Sequence, residues 1–178
     1  MLTLPVAPGL HLTQLHPDDT EELFALTDAN RAHLRRWLPW LDQTRVSAAT
    51  AKFIVQSQRE ATAGTGLHFA IYEQNVIVGI IGYVRIDPVN RGAYIGYWLA
   101  ADAQGRGIMT RCVTALYTYG FAKLELHRQV ILCAEKNTAS FAVAERCGFQ
   151  FEGVSREAEW LYDAYVGLRV YARLRTDA

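Results

Sequence analysis

The chain has 178 residues, 51% of them hydrophobic and 20% charged, which suits one globular domain over residues 1–178 with a substantial core. Eighteen Lys and Arg balance eighteen Asp and Glu, so the basic excess of a general nucleic-acid binder is missing. No apolar run reaches the ~18 residues that span a bilayer, and "MLTLPVAPGLHLTQLHPDD" lacks the basic and apolar regions of a secretory signal; the expectation is a cytoplasmic protein with no membrane partner.

Residues 9–15, with Leu10, Leu12 and Leu15 loosely spaced, predict the first strand. Pro17 and the acids behind it open a helix over 16–30, because proline and carboxylates suit a helix N-terminus. A short helix over 31–43 follows, interrupted at Pro39, then a third over 47–64 with Ser47 as its cap and Gly64 as its stop. "GLHFAIYEQNVIVGIIGYVRID" predicts a hairpin turning at 73–75, and "RGAYIGYWLA" a further strand. Beyond the glycines at 105 and 107, Cys112, Ala115, Leu116 and Tyr119 have helical spacing. "RQVILCAE" is a strand, "NTASFAVAERCG" a helix closed by Gly148, and 149–174 two strands around a loop. Helices and strands alternate only in the second half, so the class is α+β, a mixed sandwich around one sheet.

"QGRGIMT" (104–110) lies between a strand and a helix. It is neither a Walker A loop nor GxGxxG. A glycine-containing turn at a helix N-terminus can aim several N–H groups at a pyrophosphate; it can equally be a tight turn with no ligand. Asn137 can cap the helix behind it, with Ser140 at the third helical position. Cys112, Cys133 and Cys147 form no CxxC pair and read as buried small side chains. Five scattered histidines show no ligand spacing, and no metal is expected.

Taken together, "QGRGIMT" resembles the Q/R-x-x-G-x-G/A segment of the Gcn5-related N-acetyltransferase (GNAT) superfamily, and "NTASFAVAERCGF" resembles its N-x-x-(A/S)…E-(K/R)-x-G-F segment. "IGYWL", "AEWLYDAY" and "LRRWLPWL" look most like the RimJ/RimL group, nearest its ribosomal-protein-serine (RimL-type) members. The resemblance implies a GNAT fold: a mostly antiparallel twisted sheet, flanked by helices and splayed where acetyl-CoA enters. It implies direct acetyl transfer to an amine, with main-chain groups of Gln104, Gly105, Arg106, Gly107, Ile108, Met109 and Thr110 around the pyrophosphate. Trp98 and Leu99 would pair with the pantetheine arm along a bulged strand, and Asn137 would hold it from the other side. Glu159 aligns with the general base of RimL-type enzymes, and Ser140 with the residue serving the leaving thiolate.

Two departures stand out. Met109 occupies a position that is Gly or Ala in the pattern, and Ala144 stands seven residues after Asn137, where many members carry a tyrosine. An α-amine near pKa ~8 is roughly a tenth neutral at pH 7, whereas a lysine near ~10.4 is neutral in well under one part in a thousand; a protein N-terminus therefore asks less of a base. Arg35 and Trp37, in a stretch that also holds Arg31, Arg36 and Trp40, are the candidate acceptor contacts, and a basic, aromatic rim suits an acidic protein tail. The plainer reading of that stretch is a solvated helix face with its tryptophans in the core. A small amine is the alternative acceptor, and a silent acyl-CoA sensor the alternative to an enzyme. The apolar terminal strands suggest a homodimer.

Overall fold

The computed structural model describes residues 1–177. In chain order its elements are β1 (Thr3–Ala7), β2 (Leu10–Gln14), α1 (Thr20–Ala29), α2 (Arg31–Leu34), α3 (Ser47–Ala63), β3 (Leu67–Glu73), β4 (Val76–Asp87), β5 (Gly92–Leu99), α4 (Ile108–Ala122), β6 (Arg128–Ala134), α5 (Thr138–Arg146), β7 (Gln150–Leu161) and β8 (Ala164–Leu174). One eight-stranded sheet carries them in the order β1-β2-β3-β4-β5-β6-β8-β7. Every neighbouring pair is antiparallel except β5 and β6. A parallel pair needs a crossover, and α4 supplies it, so the α4 N-terminus lies at the carboxyl end of β5. This is the expected α+β, mostly antiparallel arrangement.

Three local expectations need correction. The first strand is β1, which the reading of residues 9–15 as first strand passes over. Leu2, Leu4 and Val6 alternate inward against the core, and Pro5 is tolerated because β1 is a sheet edge. Ser47 is not a cap: Val46 holds the cap position with no side-chain bond, and Ser47 is already the first helical residue. Pro39 does more than interrupt a helix. α2 ends at Leu34, and the chain resumes only as a three-residue 3-10 turn at Leu41–Gln43. The helix expected from the spacing of Cys112, Ala115, Leu116 and Tyr119 is α4; its buried residues are Ile108, Met109, Cys112, Val113, Leu116 and Gly120, with Ala115 and Tyr119 half-buried beside them.

Other expectations match. Gly64 ends α3 in the left-handed conformation at φ 70°. The β3–β4 hairpin turns on Gln74 and Asn75, both at positive φ, which gives the backbone twist of a two-residue hairpin loop.

The main core lies between the sheet and α4, and takes in Leu12, Phe69, Ile81, Tyr83, Cys112 and Leu116. A smaller cluster around Leu15, Leu23, Ile54 and Ile80 holds α1 and α3 on the sheet. Within the main core the Tyr83 hydroxyl lies 2.8 Å from the Leu116 carbonyl and 2.7 Å from Gln129 Oε1. Gln129 Nε2 donates to the Tyr117 carbonyl at 2.9 Å. Buried polar atoms are tolerated there because each has a partner.

The sheet parts between its central strands. β5 and β6 pair only from Gly92↔Arg128 to Ile95↔Ile131, and residues 96–99 and 132–134 have no partners across that gap. The register irregularity lies between Tyr83 and Arg85 on β4, opposite Ile95 and Tyr94. The bulge expected on the Trp98 strand therefore sits on its neighbour, with Val84 as the extra residue. A bulge bends and twists the strands at that point, and this one coincides with the last β5–β6 pair.

Candidate active site

The gap widens into a cleft of about 1370 Å³. From β5 it is lined by Gly96, Tyr97, Trp98 and Leu99, and from β6 by Leu132, Cys133 and Ala134. Past the end of β5 come Gln104, Gly105, Gly107, Ile108, Met109 and Thr110, and from α5 and its cap come Asn137 and Ser140. Glu159 and Trp37 also line it. The structure thus brings into one cleft every sequence-derived site residue but two, Arg35 and Arg106.

The glycine turn is built by left-handed backbone. Gly105 has φ 73° and Gly107, the residue capping α4, has φ 70°. L side chains are strained there, which is why both positions carry glycine. Among the described residues nothing beyond the neighbouring backbone lies within 4 Å of a Cβ built on either, so the turn presents bare backbone to open space. The first N–H groups of α4 have no intrahelical acceptor, and the helix dipole adds positive potential at the same place. An anion such as a pyrophosphate fits this turn. Met109, the departure from the family pattern, points into the core and is 6% exposed, so only its backbone faces the turn.

The turn is anchored on both sides. Gln104 Nε2 lies 2.8 Å from His33 Nε2, the Ala101 N–H donates to Asn30 Oδ1 at 2.8 Å, and the Arg106 guanidinium pairs with Glu73 at 2.6 Å. The Arg106 side chain is therefore turned to Glu73. Arg146, whose Nε donates to Thr110 Oγ1 at 3.2 Å, is a cation beside the turn that reading residue by residue passed over.

Asn137 caps α5: its Oδ1 accepts from the Ser140 N–H at 3.2 Å. That leaves its amide Nδ2 as the group able to reach a ligand in the cleft. The Ser140 hydroxyl lies 3.2 Å from the Tyr97 hydroxyl and 3.3 Å from Cys133 Sγ. Burial pushes the Cys133 thiol up to about 11, so it is a neutral neighbour rather than a nucleophile. Ala144 is fully buried, so no phenol stands at that position of α5.

Glu159 lies where β7 loses register with β8 between Ser155 and Glu159, beside Glu157 at φ 49°. The irregular stretch turns its carboxylate to the cleft. Burial raises the Glu159 pKa, and among the described residues no salt bridge engages it. A half-buried carboxylate with a raised pKa suits a proton acceptor for an amine better than an ordinary surface one.

Arg35 does not line the cleft. Its Nε and Nη2 meet Asp42 at 3.0 and 2.9 Å, and its guanidinium lies 3.8 Å from the centre of the Tyr162 ring. The Arg35 guanidinium, hydrogen-bonded to Asp42, lowers the pKa of that carboxyl. Tyr162 in turn bonds to the Leu38 carbonyl, so Arg35 ties the segment after α2 to the β7–β8 turn. Arg36, 5.5 Å from the Trp37 ring, lines the cleft instead. Among the described residues no group of three or more His, Cys, Asp or Glu can hold a metal ion.

A sheet splayed between parallel strands, a bare glycine turn at a helix N-terminus and a carboxylate across the gap define a coenzyme A-dependent acyltransferase. The GNAT acetyltransferase domain model matches residues 10–150, and the chain belongs to that family. It is 33% identical over 172 residues to the ribosomal-protein-serine acetyltransferase of Escherichia coli, covering 97% of this chain and 96% of that protein. A solved structure of RimL, the ribosomal L7/L12 alpha-N-protein acetyltransferase, has coenzyme A bound and joined to one of its cysteines as a disulfide. It superposes with a TM-score of 0.95 at 33% identity, covering 97% of this chain and 98% of that one. The microcin C7 self-immunity acetyltransferase MccE, solved with acetyl-CoA and AMP, superposes with a TM-score of 0.90 at 30% identity over 95% and 94%. The chain is an N-acetyltransferase that uses acetyl-CoA.

Proposed function

We propose that the acceptor is the N-terminal α-amine of a protein, and that an acidic ribosomal protein tail is the natural case. The observation that carries this is the charge of the cleft lining. Glu159 is its one carboxylate among the described residues, against Arg36, Arg85, Lys136 and Arg146. With Arg146 beside the pyrophosphate turn, a polyamine would still meet Arg36, Arg85 and Lys136. An acidic peptide would be drawn in with only Glu159 opposing it, at the point where an amine must lose a proton. The 33% identity to the ribosomal-protein-serine enzyme over nearly the whole chain supports the same reading.

In this reading the glycine turn holds the pyrophosphate through main-chain N–H groups, and Trp98 and Leu99 offer their unpaired backbone to the pantetheine arm. Asn137 meets the arm from α5. Acetyl-CoA supplies an activated acyl group whose thiolate departs. Glu159 takes the amine proton, directly or through water, and Ser140 donates a hydrogen bond where the thiolate develops. Trp37 and Arg36 form the acceptor rim, with Arg35 holding that rim in place. Residues 1–178 then act as one catalytic domain, and an acceptor taken from the ribosome puts the enzyme in the cytoplasm.

A homodimer belongs to the same proposal. β7 is a sheet edge of 12 residues, and Phe151, Val154, Trp160 and Tyr165 on it and on β8 are all exposed. Long apolar edges are normally covered. Light scattering at micromolar concentration should give twice the chain mass, and a monomer there would overturn it.

The test of the acceptor is mass spectrometry of protein N-termini from cells with and without this chain, followed by the purified enzyme on synthetic peptides. Acetylation should follow acidic N-terminal sequences. Turnover of spermidine with none of a peptide would sink the reading.

A further inference from the structure

The missing phenol on α5 has a counterpart across the gap. Tyr97 stands on β5, on the face opposite Trp98, and its ring reaches over the splay to α5. Its hydroxyl donates to the Ser140 carbonyl at 3.0 Å and lies 3.2 Å from Ser140 Oγ. A phenol has one proton. With that proton given to the carbonyl, the Tyr97 oxygen faces Ser140 only as an acceptor. The Ser140 hydroxyl is thus held between two neutral acceptors, Tyr97 Oη and Cys133 Sγ, at 3.2 and 3.3 Å.

We propose that Tyr97 is a positioning residue for the leaving group, fixing the Ser140 backbone and hydroxyl so that the hydroxyl turns to the departing sulfur. This rests on the reading of Ser140 given above. The driving force is the difference in acceptor strength: a sulfur gaining negative charge outcompetes a neutral phenol or thiol for the same O–H. Rotation about one bond is enough, and no proton need leave Ser140. Burial raises the Tyr97 pKa, which keeps the phenol protonated and its bond to the carbonyl intact. The phenol that many family members carry seven residues after the asparagine is here replaced by an arrangement of two residues, Tyr97 and Ser140, 43 positions apart in the chain.

A double-mutant cycle on acetyl transfer to a peptide amine tests this. Tyr97→Phe should lower kcat about tenfold with little change in KM for acetyl-CoA. In the Ser140→Ala background the same change should cost less than about twofold, because a residue acting through Ser140 has nothing left to position. A merely structural role would lower the melting temperature and raise KM in both backgrounds. If Ser140→Ala alone leaves kcat unchanged, the reading of Ser140 fails and this proposal with it. If Ser140→Ala is slow but Tyr97→Phe is silent, or is equally slow in both backgrounds, only the role of Tyr97 is overturned. Should Tyr97→Phe not fold, 4-fluorophenylalanine at 97 fills the space of the hydroxyl with a group that has no proton to give the Ser140 carbonyl. It should lower kcat in the Ser140 enzyme alone, and an unchanged kcat would overturn the proposal.

Discussion

A Cβ on Gly96 would lie 2.7 Å from Val84 Cγ1, so the bulged residue of β4 packs directly over the β5 position where the sheet begins to part. Val84 is β-branched and stiff at χ1, so turning it away from a Cβ at 96 costs energy even though the side chain is exposed. Gly96→Ala should therefore destabilise the fold by about 1–3 kcal/mol, an overpacking cost, and weaken acetyl-CoA binding through the displaced β5 edge. Adding Val84→Ala should recover most of both losses. Thermal melting and calorimetry on the two variants check this, and a Gly96→Ala protein indistinguishable from the parent would show that the contact does not set the splay.

Gly107 separates backbone strain from charge. At φ 70° with open space around its Cβ, Gly107→Ala should cost about 1–2 kcal/mol of stability through conformation alone. Gly107→Asp enters the left-handed region more easily than alanine, so its conformational cost should be no greater. It places a negative charge at the α4 N-terminus, where coenzyme A phosphates are to bind. Calorimetry at moderate salt should show coenzyme A binding weakened far more by Asp than by Ala. Equal losses would mean that the turn does not face the phosphates.

Glu159→Gln should act on rate and stability in opposite directions. As base, Glu159 must be ionised, so kcat should fall most below the acceptor's pKa and recover in part as pH rises and more amine is neutral. Ser140→Ala should lower the rate with little added pH dependence. For stability, burial raises the folded-state pKa of Glu159 above its unfolded value. The folded chain then binds more protons across that interval, so stability falls as pH rises through it and stays lower above it. Glu159→Gln should melt higher than the parent at neutral pH, with the difference vanishing in acid. An unchanged pH–rate profile would remove Glu159 from the base role.

Gly120 tests the buried network under α4. A Cβ there would lie 2.1 Å from the Tyr83 hydroxyl and 2.8 Å from Gln129 Nε2. Gly120→Ala should break those hydrogen bonds and overpack the core, costing about 2–4 kcal/mol in urea unfolding. Tyr83→Phe in the same chain should recover part of it.

The elements that give catalysis its parts were legible because their signals are local. The glycines at 105 and 107, the Asn137 cap with Ser140 at its third position, the Gly64 stop and the 73–75 turn each follow from short-range backbone geometry. β1 was legible too, in the alternation of Leu2, Leu4 and Val6, but Pro5 masks it unless the strand is known to be an edge. The α4 spacing gives the helix but not its most buried face, because Ala115 and Tyr119 fit the helical period as well as Val113 and Gly120 do. Only the position of the sheet decides between them.

By itself the sequence determined the α+β class, the glycine turn before α4 and, through two motifs some thirty residues apart, the family and its acetyl donor. Tertiary structure alone decided which side chains meet. Arg35 and Arg36 are adjacent in the chain and equally basic, yet Asp42 and Tyr162 capture the first and leave the second to the cleft. Tyr97 and Ser140 are 43 residues apart and touch because β5 and β6 stop pairing beyond Ile95 and Ile131 and α5 follows β6 there. Such pairings depend on strand register and on where a bulge bends the sheet, and no period in the sequence encodes either.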